Sequence, residues 1–186
     1  NIYKIIESGK SVSVHCSYGK DSSVLLVLAL EALRRAIANG IKIKGFYVSH
    51  ADTGIENPAM GFYCKSMTEK LEQYAEDMGF YEHNFKVLIA TPSITSSWVY
   101  STIGRGRVPV FADSKERQCT VDFKVRPQQK LLKELIKKAG GTENHVSLIG
   151  TRLSESADRK ARMEAREETS TSINKDGNGF YSSAPI

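Results

Sequence analysis

The residues with the clearest chemical potential lie in one short stretch, residues 17–23, with the sequence SYGKDSS. The stretch follows an apolar run at residues 11–16 and precedes a long segment, residues 24–38, in which apolar residues recur with helical spacing. A strand, a short loop containing glycine and hydroxyl groups, and a helix together direct unpaired backbone N–H groups and the helix N-terminus toward an anion. The stretch therefore predicts a phosphate-binding loop.

The composition of this loop excludes two common kinds of phosphate site. A Walker loop has the pattern Gly-x-x-x-x-Gly-Lys-Ser/Thr, and a Rossmann loop has Gly-x-Gly-x-x-Gly. Gly19 is the only glycine in the turn, so neither pattern is present. The alternative to a functional loop is an ordinary strand-to-helix turn in which Ser17 or Asp21 only caps the helix.

The loop resembles the Ser-Gly-Gly-Lys-Asp-Ser signature of the PP-loop ATP pyrophosphatases, a superfamily that includes the phosphoadenylylsulfate (PAPS) reductases. Tyr18 stands where this signature has its first glycine, and a turn requiring positive φ there would disfavour tyrosine. Lys20 would offset charge on leaving pyrophosphate, and Asp21 would help to hold Mg²⁺. The resemblance implies that the ATP and pyrophosphate site includes Ser17, Tyr18, Gly19, Lys20, Asp21 and Ser22.

A second polar stretch, residues 50–58 (HADTGIENP), follows the second predicted strand. Ligands of an open parallel sheet lie beyond the carboxyl ends of its strands, so we expect this stretch beside the phosphate loop. It resembles the Asp/Asn-Thr-Gly segment of PAPS reductases, which implies that Asp52 and Thr53 belong to the nucleotide site. Asp52 and Glu56 could orient the nucleotide, a metal ion or its waters; alternatively, Asp52 and Thr53 only cap a turn.

A third stretch, residues 150–156 (GTRLSES), follows the fourth predicted strand, and Arg159 lies one helical turn beyond Glu155. It resembles the Gly-x-Arg-x-x-Glu-Ser pattern of the same branch, which implies that Gly150 lies at the nucleotide. An arginine offers a planar fork for phosphate oxygens, so Arg152 and Arg159 are candidates to neutralise pyrophosphate. The alternative is a helix cap at Ser154 with surface ion pairs.

The fourth stretch, residues 117–127 (RQCTVDFKVRP), resembles the segment of the same branch that contains Arg-x-Cys, then lysine, then proline. Together with the third stretch it resembles most closely the DNA phosphorothioation enzymes of the Dnd and Ssp systems. Its cysteine, Cys119, is close in sequence to Arg117, Lys124 and Arg126. Nearby cations lower the pKa of a thiol and favour the thiolate, so Cys119 could accept or carry sulfur. The alternative is that Cys119 is an inert packing residue.

The elements that must position these stretches alternate between strands and helices, which predicts a parallel sheet with right-handed crossovers. The resemblance implies an α/β fold of the Rossmann-like HUP type, an open parallel five-stranded sheet with helices on both faces. Apolar spacing in the first long helix predicts that Val24, Leu25, Leu28, Leu30 and Leu33 face inward. Strands are predicted at residues 12–16, 41–48, 81–91 and 146–150, and helices at residues 22–38, 58–78, 98–102, 128–139 and 154–166.

The length of 186 residues suits one nucleotide-binding domain covering residues 1–186, with a mobile loop at residues 167–179. The chain lacks an initiator methionine and ends at Ile186, so we expect a fragment of a longer protein, truncated at its C-terminus. No apolar run reaches membrane-spanning length, no signal peptide is present, and the three cysteines suggest reduced thiols, which together predict a cytoplasmic protein. We expect Cys16 and Cys64 to be buried, and His83 and His145 to lie at the surface.

The resemblance implies an ATP pyrophosphatase that adenylylates an oxygen of a DNA backbone phosphate, so that sulfur can then replace it, a DNA modification used in bacterial defence. The implied cofactors are ATP, Mg²⁺ and an iron–sulfur cluster with ligands partly outside this chain. The implied partners are DNA, a cysteine desulfurase that donates sulfur, and other subunits of a phosphorothioation complex, with no membrane. A net charge of +5 is compatible with an anionic partner. The alternatives are a PAPS or sulfonucleotide reductase and a catalytically inactive nucleotide-binding or DNA-binding subunit.

Overall fold

The computed structural model describes residues 1–107, 120–150, 161, 164, 169, 171–175 and 180–185. The strands are β1 (Ser11–His15), β2 (Phe46–Ala51), β3 (Phe85–Ala90), β4 (His145–Ile149), β5 (Asn174–Lys175) and β6 (Tyr181–Ser183). The α-helices in the described residues are α1 (Ile2–Glu7), α2 (Lys20–Ala38), α3 (Pro58–Asp77) and α4 (Arg126–Lys138). Short 3₁₀ turns cover Phe80–His83, Ile94–Ser96 and Thr142–Asn144, and π-helical turns cover Tyr100–Gly104 and Val121–Val125.

The six strands form one sheet in the order β3-β2-β1-β4-β6-β5. All neighbouring pairs are parallel except β5 and β6, which are antiparallel. The predicted α/β fold with an open parallel sheet is therefore confirmed, but among the described residues the sheet has six strands rather than the predicted five. Five of the strands are parallel to one another, and the edge strand β5 is antiparallel. The strand β5 lies inside the range predicted as a loop, because an edge strand of two residues leaves no apolar periodicity in the sequence.

The strand β2 begins later than predicted. The alternation in residues 41–45 resembles a strand, but pairing with β1 begins at Phe46, opposite Val12, and continues to Ser49, opposite His15. On its other side β2 pairs with β3 as far as Ala51. The bounds of this strand are thus decided by its two neighbours in the sheet rather than by its own alternation.

The buried face of α2 differs in part from the predicted one. Leu25, Leu30 and Leu33 are buried, as predicted, but Val24 is 54% exposed and Leu28 is 48% exposed. The buried stripe instead includes small residues that allow close packing, and it consists of Ser22, Leu25, Leu26, Ala29, Leu30, Ala32, Leu33 and Ala36. The prediction was wrong at two positions because it weighted large apolar side chains over small ones.

The two faces of the sheet differ in polarity. One face is apolar and packs in the core that also includes α1, α2 and α3. The opposite face carries a polar layer, which is buried except at the half-buried His15. The layer consists of Ser11, Ser13 and His15 on β1, Tyr47 and Ser49 on β2, and His145 and Ser147 on β4. Leu132 and Ile136 of α4 pack against Tyr47 of this layer.

His145 lies within the polar layer, at 1% exposure, so its predicted surface position was wrong. Its ring nitrogens share hydrogen bonds with Ser11 Oγ at 2.8 Å and Ser13 Oγ at 3.0 Å. Burial, together with the nearby His15, lowers the pKa of His145 to about 4. Because both nitrogens have hydroxyl partners, the neutral ring is accommodated without a charge.

Among the described residues, no helix has the length and apolar character needed to cross a membrane.

Candidate functional site

The predicted phosphate loop lies at the carboxyl end of β1 and leads directly into α2, whose N-cap is Gly19. The Ser22 side chain braces the loop from inside. Its hydroxyl donates to the Gly19 carbonyl at 3.0 Å, accepts the Ser17 N–H at 3.3 Å and lies 3.1 Å from Ser17 Oγ. Ser22 is 7% exposed, whereas Ser17, Gly19 and Lys20 are exposed. Hydrogen bonds within the loop therefore hold its backbone in place, and the outer side of the loop is exposed to solvent.

Lys20 and Asp21 occupy the first turn of α2. Asp21 is half-buried, and a carboxylate in this turn is favoured by the positive end of the helix dipole. The cationic Lys20 interacts unfavourably with the same dipole, because the N-terminus of a helix is its positive end. An anion bound at this end would interact favourably with both the lysine and the backbone N–H groups of the helix N-terminus.

Tyr18 adopts the left-handed conformation, with a φ of 56°. This is the geometry that disfavours tyrosine, and the structure accommodates it by burying the side chain to 3% exposure. The hydroxyl lies 2.8 Å from Thr68 Oγ1 on α3, and the ring centroid lies 5.2 Å from that of His50. Burial raises the pKa of Tyr18 to about 12, so the hydroxyl is neutral.

The loop after β2 lies beside the phosphate loop, as predicted. His50 Nδ1 lies 3.0 Å from the Cys16 carbonyl oxygen, which joins the ends of β1 and β2. Asp52 Oδ1 accepts the Gly54 N–H at 2.9 Å, so this carboxylate caps a turn, and Thr53 is 5% exposed. The alternative that Asp52 only caps a turn therefore explains the position of one of its two carboxylate oxygens.

Glu56 connects this loop to another of the predicted stretches. Its carboxylate lies 3.6 Å from Lys124 Nζ, which belongs to the stretch at residues 117–127. In the same stretch, Asp122 forms ion pairs with Arg126 and with Arg107, the latter at 3.3 Å. The acidic end of the β2 loop and this basic segment are therefore neighbours in space.

Gly150, at the end of β4, packs against the phosphate loop. A Cβ atom at this position would lie 3.1 Å from the backbone carbon and oxygen of Asp21 and from the Ser22 Cα. A side chain at this position would therefore require the first turn of α2 to shift by a few tenths of an ångström. The other predicted residues of this part of the site, Cys119, Arg152 and Arg159, lie outside the described residues.

Cys16 and Cys64 are buried at 2% and 4% exposure, as predicted. Burial raises the pKa of both thiols above the ordinary value. Both therefore stay protonated at neutral pH. Within the part of the chain that the structure describes, no group of three or more histidine, cysteine, aspartate or glutamate side chains could hold a metal ion.

A groove of about 630 Å³ lies between α3 and the carboxyl ends of β2 and β3. Thr68 and His50, which contact Tyr18, form part of its wall, so the groove and the phosphate loop share supporting residues. The lining consists of His50, Asp52, Glu56, Pro58, Gly61, Phe62, Cys64, Lys65, Thr68, Glu69, Glu72 and Ile89. Sequence reasoning did not assign a role to His50, although it lies two residues before Asp52, and nothing in the sequence singles out Thr68.

Two comparisons bear on the family of the chain. A family model described as the phosphoadenosine phosphosulfate reductase domain matches residues 11–186. In a comparison with curated proteins, no protein matched the chain significantly. The family match begins at β1 and includes the phosphate loop, the loop after β2 and Gly150. Since it covers nearly the whole sequence, the chain belongs to the phosphoadenosine phosphosulfate reductase domain family.

Proposed function

We propose that the chain is an ATP pyrophosphatase that transfers adenylate to an oxygen of a DNA backbone phosphate, so that sulfur can replace that oxygen. The observation that carries the proposal is the internally braced phosphate loop at the N-terminus of α2, in a chain whose family binds nucleotide substrates. In the reaction, the acceptor oxygen forms a bond to the α-phosphorus of ATP. The bond between the α-phosphorus and the bridging oxygen breaks, and pyrophosphate leaves with the electron pair.

The chain's own groups would bind the part of ATP that leaves. Backbone N–H groups at the N-terminus of α2 are donors for phosphate oxygens, and the exposed Ser17 hydroxyl lies at the same end. Lys20 would balance the charge that develops on pyrophosphate. Loss of one such preorganised contact should lower turnover by on the order of 10²-fold or more.

Asp21 suits a role beside Mg²⁺. A nucleotide-bound Mg²⁺ needs only one or two carboxylates, because phosphates and waters supply its other ligands. The half-buried carboxylate of Asp21, on the turn that would face the phosphates, meets this requirement. Bound Mg²⁺ would neutralise phosphate charge. An iron–sulfur cluster normally needs four thiolates, and two cysteines, Cys16 and Cys64, lie within the described residues, so no step of the proposed reaction depends on a cluster.

The roles of the remaining site residues are proposed from their positions in the sequence. Arg152 comes two residues after Gly150, whose close packing on the phosphate loop supports a role for this arginine, and for Arg159, in holding pyrophosphate. Asp52 and Thr53 would contact the nucleotide from the β2 loop. Cys119 would carry sulfur as a persulfide, whose outer sulfur bonds to the DNA phosphorus as AMP leaves with its electron pair. A thiol reductant would then cleave the bond between the two sulfurs, which releases the phosphorothioate and leaves a disulfide between Cys119 and that thiol.

DNA is proposed as the acceptor because the stretch at residues 117–127 resembles phosphorothioation enzymes and because the net charge is +5. A sulfur atom must reach the adenylylated phosphate from outside this chain. A cysteine desulfurase and further subunits of a phosphorothioation complex are therefore the proposed partners.

The test is pyrophosphate release from ATP and Mg²⁺, with and without duplex DNA, for wild type, Lys20→Ala and Asp21→Ala. Lys42→Ala, which removes an exposed lysine before β2, is the matched control. We expect release that DNA stimulates, a loss of about 10²-fold or more in Lys20→Ala, and no change in Lys42→Ala. Circular dichroism would establish that each variant is folded.

The other possible outcomes would each support a different conclusion. Near-native release by folded Lys20→Ala would refute the assignment of the phosphate loop. Release that DNA does not stimulate would argue against DNA as acceptor. ATP binding without turnover would favour an inactive subunit, and sulfite formation from an adenylylated sulfate with a thiol reductant would favour a reductase.

A further inference from the structure

The proposed reaction does not explain the geometry of Tyr18 in the phosphate loop. It lies between Ser17 and Gly19, both exposed, yet it is 3% exposed itself. The loop therefore turns its backbone outward while this one side chain points into the core. A non-glycine residue in the left-handed region is strained, and it persists only where its surroundings hold it there.

Among the described residues, contacts from three different parts of the chain hold Tyr18. The backbone N–H donates to Cys16 Sγ at 3.4 Å, within the loop. The ring packs on His50 at the end of β2, with centroids 5.2 Å apart. The hydroxyl lies 2.8 Å from Thr68 Oγ1, in the middle of α3.

The direction of the bond to Thr68 can be assigned. The Thr68 hydroxyl donates its single hydrogen to the Cys64 carbonyl at 2.9 Å, one turn earlier in α3. A hydroxyl has one hydrogen and two lone pairs, so Thr68 Oγ1 accepts and Tyr18 donates. The phosphate loop is thus tied through Tyr18 to the backbone of α3 by a chain of two hydrogen bonds.

We propose that Tyr18 is a positioning residue of the phosphate loop, whose buried side chain, anchored on Thr68 and His50, holds the loop backbone in its anion-receiving conformation before any ligand binds. This role rests on the proposed function of the loop. A glycine at this position could adopt the same φ without strain, but it would supply no anchor and would leave the loop more mobile. In this chain, the packing of the Tyr18 side chain therefore stabilises the turn, in place of the conformational freedom that a glycine would supply.

The first test measures loop mobility without ligand, by amide hydrogen exchange in peptides covering residues 17–25. Tyr18→Phe removes the donor and Thr68→Val removes the acceptor. Loss of one buried hydrogen bond should speed exchange of this segment by roughly 2- to 10-fold in either variant. Thr68→Ser keeps the hydroxyl and should restore the wild-type rate. Tyr81→Phe, which removes a hydroxyl from an exposed tyrosine, is the matched control and should leave the segment unchanged.

The second test measures binding of inorganic pyrophosphate by calorimetry. The two variants should each weaken binding by roughly 2- to 10-fold, and the double variant should weaken it no further, because both remove the same bond. Tyr18→Gly should have the largest effect. A purely structural role would instead lower the binding stoichiometry or the thermal stability and leave the dissociation constant of the folded fraction unchanged, which would overturn the proposal.

The outcomes separate the two proposals. Faster exchange in Tyr18→Phe and Thr68→Val, with pyrophosphate bound but no turnover of ATP by wild type, would support the role of Tyr18 and reject the enzymatic function. Unchanged exchange and unchanged pyrophosphate affinity in both variants would overturn the role of Tyr18 even if wild type is active. A wild-type protein that binds neither pyrophosphate nor ATP would overturn both.

Discussion

Acid should destabilise this protein well before its carboxylates are protonated, because the polar layer of the sheet contains histidines that are held neutral. His145 has an ordinary pKa of 6.5 in the unfolded chain and a pKa of about 4 in the folded protein. Between these values the unfolded chain binds more protons than the folded one, so stability falls as the pH falls. The full contribution is present above pH 6.5 and is lost progressively toward pH 4.

The size of the effect follows from the two pKa values. For a shift from 6.5 to about 4, linkage gives a loss of about 2 kcal/mol at pH 5 relative to pH 8, and about 3 kcal/mol once both states are protonated. His15, whose ring nitrogen lies 3.0 Å from Ser49 Oγ, also has its pKa lowered to about 4 by burial, opposed by Gln128. Since His15 is only half-buried, it should add less than His145.

The assay is urea unfolding at pH 7.5, 6.5, 5.5 and 5.0, followed by circular dichroism. We expect wild type to lose between about 2 and 4 kcal/mol over this range, a large part of the stability of an ordinary domain. His145→Gln should be less stable at pH 7.5 but should lose about 2 kcal/mol less on acidification. His15→Gln should reduce the loss by a smaller amount. His83→Gln, outside the polar layer, controls for removing a histidine as such.

The reasoning would be refuted if His145→Gln lost as much stability between pH 7.5 and pH 5 as wild type does. The same would follow if wild-type stability were flat over this range. Because the comparison uses differences between variants, carboxylates that titrate near pH 4 cancel from it.

Four further substitutions, in two matched pairs, test the packing around the site and in the core. Gly150→Ala should destabilise the fold by about 1–3 kcal/mol and weaken ATP binding, because its Cβ would lie 3.1 Å from the Asp21 backbone. Gly61→Ala, where a Cβ meets nothing within 4 Å inside α3, should instead stabilise by about 0.5–1 kcal/mol in thermal unfolding. Leu33→Ala, at a fully buried position, should cost about 2–5 kcal/mol in urea unfolding. Leu28→Ala, at a half-exposed position of the same helix, should cost far less, and equal losses would contradict the packing of α2 described above.

Much of the fold was predictable because its signals are local. Strand, loop and helix at residues 11–38 follow from an apolar run, a polar turn and helical spacing, and they form β1, the phosphate loop and α2. The stop signals at Asn39 and Gly79 mark the ends of α2 and α3. The alternation of strands with helices also predicted a parallel sheet, because two neighbouring parallel strands must be joined by a crossover, which is usually a helix.

The candidate site was predictable as a set of stretches but not as a set of contacts. The position of the β2 loop beside the phosphate loop followed from the parallel topology. That His50 contacts the Cys16 carbonyl, that Tyr18 bonds Thr68 and that Glu56 meets Lys124 depends on how separate segments approach each other. No spacing in the sequence encodes those distances.

By itself, the sequence determined the fold class, the order of the elements and the place of the phosphate loop, because each depends on neighbours in the chain. Only the tertiary structure decided that His145 is neutral and buried and that Tyr18 can occupy a left-handed turn. Both depend on partners far away in the sequence: Ser11 and Ser13 bond the His145 ring, and Thr68 bonds the Tyr18 hydroxyl. A local pattern carries no information on such partners, since burial and hydrogen bonding across the fold, rather than propensity, stabilise these conformations.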